Sequence, residues 1–95
     1  FYKTLGFEEI EIEDGLTALS FEVSPEENYA LLTDEEGSIP TSLRQIIVFA
    51  YYTPEGAFLW STSFKNSYLF QEIWSEADTP EHKLTAMQKY YDSKH

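Results

Sequence analysis

"EEIEIEDGLTALSFEV", residues 8–23, decides how the chain folds. Ile10 and Ile12 alternate with Glu9, Glu11 and Glu13, the period of two of a strand with one buried face. Asp14-Gly15 follows, a pair that tolerates the positive φ angles of a type I′ hairpin turn. A two-residue turn there predicts Ile12 opposite Thr17 and Ile10 opposite Leu19. The buried face is then Ile10, Ile12, Thr17, Leu19, Phe21 and Val23, and Glu9, Glu11, Glu13 and Glu22 share the outer face.

Outward from this hairpin, Pro25 ends the second strand because it has no N–H for a ladder. "NYALLT", 28–33, predicts a third strand, and "DEEGSIPTS", 34–42, has the composition of a loop. "RQIIVFAYY", 44–52, is β-branched and aromatic and stops before Pro54, which favours a fourth strand over a helix. "TPEG", 53–56, is a turn, and "AFLWSTSF", 57–64, alternates again. "SYLFQEIW", 67–74, is expected as a further strand, with Tyr68, Phe70, Glu72 and Trp74 facing away from Leu69, Gln71 and Ile73. Thr79 as N-cap, Pro80 in the first helical position and Glu81 in the first turn open a closing helix. Its apolar stripe is Leu84, Met87 and Tyr91. The fold class is α+β: a mostly antiparallel meander sheet of about six strands covered by a C-terminal helix, in a single domain spanning residues 1–95.

Charge is unevenly spread. Residues 1–40 hold eleven Asp or Glu against Lys3 alone, whereas residues 41–95 hold six acids against five bases, out of a net charge of −11. So negative a field repels phosphate backbones and anionic lipid, which argues against direct nucleic-acid or membrane binding and favours a basic protein partner. Acidity also keeps a small domain soluble without any further role.

With no cysteine there are no disulfides or thiolate sites, which fits a reducing compartment. No apolar run approaches the ~20 residues of a membrane span, and a signal-peptide pattern is missing, so a cytoplasmic location is expected. A start at Phe1 rather than Met leads us to expect a native beginning outside this sequence.

No catalytic pattern stands out. His82 and the terminal His95 are the two histidines, no G-x-S-x-G elbow or phosphate-binding glycine motif is present, and "DEEG", 34–37, lacks the ligand spacing of a calcium loop. No cofactor or metal is therefore expected. Same-face carboxylates along a strand stand roughly 6.5–7 Å apart, too far to chelate one ion. The row Glu9, Glu11, Glu13 and Glu22 reads instead as a docking stripe, and Trp60 and Trp74 are the aromatic candidates beside it, since Trp is favoured at binding hot spots.

"FYKTLGFEEIEIEDG", 1–15, resembles the F-Y-x-x-L-G-F helix-to-strand segment of vicinal oxygen chelate modules, the glyoxalase and bleomycin-resistance family; "LTALSFEV" and "NYALLT" continue the likeness. The resemblance implies a βαβββ unit and a small-molecule pocket. The family's preceding strand is missing here, and no His or Glu of this chain matches its metal positions.

The leading reading is a small, acidic, non-enzymatic protein–protein interaction domain. One form of it is an inhibitor that mimics the charge of DNA. The alternatives are a small-molecule-binding or enzymatic domain with an apolar pocket between sheet and helix, and a homo-oligomer formed through an edge strand or the aromatic sheet face.

Overall fold

The computed structural model describes residues 2–13, 16–22 and 26–94, without the side chains of Ile12, Glu13 and Leu16. The Asp14-Gly15 turn, Val23 and Pro25 lie outside the described residues. A short 3-10 turn, Tyr2–Leu5, leads into five strands: β1 (Glu8–Glu13), β2 (Leu16–Glu22), β3 (Tyr29–Asp34), β4 (Ile47–Tyr52) and β5 (Phe58–Phe64). Two helices follow, α1 (Ser67–Glu76) and α2 (Pro80–Lys94). The strands form one antiparallel sheet in chain order, β1-β2-β3-β4-β5. This is the α+β meander that the alternating strands and tight turns imply.

The expected sixth strand is α1. Phe70 and Trp74 stand four positions apart, a spacing that fits both a strand of period two and a helix of period 3.6. Asn66 resolves the ambiguity: its side-chain oxygen accepts from the Leu69 N–H at 2.9 Å, capping a helix whose buried residues are Ser67, Phe70 and Trp74. α2 starts as its sequence predicts, with Thr79 Oγ1 accepting from the His82 N–H at 3.2 Å.

The hairpin register also departs from expectation, for a definable reason. Glu13 pairs with Leu16, as a two-residue turn requires, but a bulge between Glu11 and Glu13 then sets Glu11 against Thr17, Ile10 against Ala18 and Glu9 against Leu19. A slip of one residue moves every side chain beyond it to the other face. Leu19 belongs to the core, so Ile10 lies on the opposite face, and Glu9 and Glu11 share the face of Leu19 and Thr17. Phe7 accounts for the choice. It is 1% exposed and meets Phe21, Phe70 and Trp74 at ring-centroid distances of 5.5, 5.8 and 5.2 Å. An aromatic ring buries more apolar area than an isoleucine, and placing Phe7 inward commits the odd-numbered residues that follow it to the same side.

The core lies between one sheet face and the helices: Leu19, Phe21, Ala30, Leu32, Ile47, Phe49 and Phe64 from the sheet, Phe70, Trp74 and Met87 from the helices, and Tyr2 and Phe7 from the N-terminal segment. Each large side chain buried there contributes about 1.5–3 kcal/mol. Gly6, at φ +98°, makes the sharp entry into β1, and Phe21 packs so close that a Cβ at Gly6 would stand 3.1 Å from its ring. β4 begins later than its apolar run suggests, with Ile46 40% exposed. The Gln45 side-chain oxygen accepts from the N–H groups of Thr41 and Ser42 at 2.9 and 2.8 Å, tying the preceding residues into a loop.

Candidate functional site: the uncovered sheet face

Because the helices cover one face, the alternate residues of each strand form a second face over which no described element packs. Pairing lays it out in rows. One row runs Glu8, Ser20, Leu31, Ala50 and Ser61 across all five strands. Beside it stand Ile10 with Ala18, and Thr33, Val48 and Ser63. On the other side Glu22, Tyr29, Tyr52 and Phe58 are cross-strand neighbours. Tyr29 and Tyr52 stack with centroids 5.4 Å apart and an interplanar angle of 11°, Tyr52 meets the edge of Phe58 at 5.8 Å, and Phe58 is 59% exposed. The face thus has an aliphatic centre, an aromatic row at one end, and exposed Glu8 and Glu22 on β1 and β2.

No strand contains Lys, Arg or His. Glu8, Glu9, Glu11 and Glu22 are exposed and carry no ion pair among the described residues; His82 and Asp78, both on or next to α2, form an exposed one at 3.7 Å. Two of the bases serve the helices. Lys83 Nζ donates to the carbonyls of Trp74 and Ala77 at 2.8 and 2.6 Å, closing the C-terminal end of α1, and Lys94 lies over the Tyr90 ring.

The residues that the sequence nominates for docking fall in different places. Glu9 and Glu11 lie on the helix-side face of edge strand β1, while Glu22 is on the uncovered face, so they do not form one row. Glu13 belongs to β1, with its side chain outside the description. Trp60 is partly buried between sheet and α2, stacked on Tyr91 at 4.9 Å and packed beside Tyr51 at 5.3 Å. Trp74 is fully buried and hydrogen-bonded, so it offers nothing to a partner; its expected place on a strand face does not hold because the segment is helical. The row Tyr29, Tyr52 and Phe58 is the feature that sequence reasoning missed. The strand alternation that places them together is readable only once the β3–β4 and β4–β5 registers are known.

A groove of about 530 Å³ opens between the sheet and α2, with Tyr51 and Leu84 joined by Glu27, Glu81, Asn28 and Gln88. Most of its lining residues are polar, but apolar atoms supply the larger part of its surface. Among the described residues no three His, Cys, Asp or Glu side chains converge to hold a metal, and no helix is long and apolar enough to cross a membrane. Compared with models of protein families, with curated proteins and with solved structures, the chain matches none.

Proposed function

We propose that the chain is a non-enzymatic protein-interaction domain that docks a basic protein partner on its uncovered sheet face. The observation that carries this reading is the composition of that face: exposed Phe58 beside the Tyr29–Tyr52 stack, an aliphatic centre, glutamates at one side and no cation on any strand. The aromatic row supplies anchors of the kind that dominate binding energy. The carboxylates of β1 and β2 speed encounter with a Lys- or Arg-rich surface and disfavour acidic competitors. A second copy on this face is disfavoured, since it would bring two chains of net charge −11 together without a compensating base on either sheet.

A small-molecule reading would use the groove beside α2, whose volume is ample for a ligand. Its carboxylates and amides suit the polar or cationic part of such a molecule, and Tyr51 and Leu84 its apolar part.

The test compares baits. Wild-type chain and a Phe58→Ser/Glu8→Lys/Glu22→Lys variant, all at exposed positions, are used to capture proteins from native lysate at low and high salt. The reading requires a basic protein retained by wild type, released by salt and lost with the variant. Identical retention by both baits would overturn it.

A further inference from the structure

The groove beside α2 draws its walls from three parts of the chain: Glu27 before β3, Tyr51 on β4, and Glu81, Leu84, Thr85 and Gln88 on α2. The last four, at i, i+3, i+4 and i+7, share one face of the helix. Tyr51 packs against the core, so the groove lies on the helix-covered side of the sheet, opposite the uncovered face.

Hydrogen bonds around the groove sort its polar groups. Thr85 Oγ1 donates to the Glu81 carbonyl at 3.0 Å, and Gln88 Nε2 donates to Asp92 Oδ1 at 3.1 Å. With those donors committed, the Thr85 oxygen and Gln88 Oε1 are left as acceptors. The ionised carboxylates of Glu27 and Glu81 can only accept; both residues are exposed and neither side chain has a partner among the described residues. No Lys, Arg or His is among the described residues that line the groove. The two bases in the first turns of α2 are engaged elsewhere, His82 with Asp78 and Lys83 with the carbonyls of Trp74 and Ala77.

Beside these acceptors stands apolar surface. The Tyr51 ring packs beside Trp60 at 5.3 Å, and Trp60 stacks on Tyr91 at 4.9 Å, which holds Tyr51 as a fixed wall. The face of such a ring attracts a cation. An ammonium group has three donors and no acceptor, so it matches this lining, whereas a hydroxyl brings lone pairs to a wall of acceptors and a carboxylate is repelled.

We propose that the groove binds a small organic amine, its ammonium on the carboxylates of Glu27 and Glu81 and its apolar body against Tyr51 and Leu84. A volume of about 530 Å³ is that of a small-molecule site, well beyond what one inserted Lys or Arg side chain fills. The inference rests on the small-molecule reading of the groove and is independent of partner docking on the opposite face.

The experiment is an NMR titration of the whole chain with three probes of similar shape, phenethylammonium, 2-phenylethanol and phenylacetate, at ~0.02 M NaCl, where charge is little screened. Phenethylammonium should shift the resonances of Tyr51, Leu84, Thr85 and Gln88 and bind roughly ten-fold or more tighter than 2-phenylethanol, with phenylacetate weakest. Glu27→Gln/Glu81→Gln, at two exposed positions, should reduce the amine to the affinity of the alcohol and leave the alcohol unchanged, with folding checked by circular dichroism. Equal binding of amine and alcohol to wild type would overturn the proposal while leaving a small-molecule groove; if no probe shifts those four residues, both readings fall. General attraction of a cation to a chain of net charge −11 would shift Glu8, Glu9 and Glu11 as strongly and survive the Gln substitutions, and that pattern also overturns the site.

Discussion

Trp74 Nε1 donates to the Leu5 carbonyl at 3.0 Å, joining α1 to the N-terminal turn 69 positions earlier in the chain. The indole also meets Phe21 edge-on at 4.7 Å and stacks on Phe70 at 5.2 Å, so one side chain locks turn, sheet and helix together.

Trp74→Ala should therefore cost about 3–5 kcal/mol, as large-to-small core changes do. Trp74→Phe keeps most of the packing but orphans the Leu5 carbonyl, a loss of about 1–3 kcal/mol. Urea titration measures both losses; a Trp74→Phe variant as stable as wild type would mean that the hydrogen bond contributes nothing.

The Tyr2 hydroxyl bonds the buried Ser67 hydroxyl at the first residue of α1. Burial raises its pKa above 10.0, with the Ser67 bond acting in the lowering direction. Tyr2→Phe should cost about 1 kcal/mol at neutral pH by removing that bond. The sign of the pH effect follows from linkage. Near pH 10 the unfolded chain loses the Tyr2 proton while the folded one keeps it, so this group's stabilisation is complete below that pH and falls as pH rises toward the folded pKa. The stability gap between wild type and Tyr2→Phe should narrow above pH 10 in denaturant titrations, and a constant gap would contradict it.

Asn66→Ala removes the cap of α1 and should cost about 1 kcal/mol. Because α1 carries Phe70 and Trp74 into the core, the loss should appear in global unfolding and not merely as fraying, which amide exchange across residues 67–76 separates. Unchanged stability would show that the Leu69 N–H finds another acceptor.

Thr62→Val replaces a buried hydroxyl that has no hydrogen-bond partner among the described residues with a methyl group of similar shape. It should raise stability by about 1 kcal/mol, the relief of an unsatisfied polar group. A loss of stability would reveal that the hydroxyl has a partner.

The sequence by itself determined the parts of this protein that depend on neighbours along the chain. Alternation marked β1, β2 and β5, a β-branched and aromatic run marked β4, prolines and glycines placed the breaks between strands, and Thr79-Pro80-Glu81 opened α2, because strand period, turn angles and caps are properties of a few consecutive residues. The concentration of acid in the first forty residues was equally plain. Only the tertiary structure decided which face of β1 turns inward, since that rests on Phe7 outcompeting Ile10 for the core and on a single bulged residue. It also decided that Phe70 and Trp74 sit on a helix, their four-residue spacing serving either period. The uncovered face with its row of Tyr29, Tyr52 and Phe58 comes from registers and strand order, which are set by packing between segments far apart in sequence and so leave no local trace.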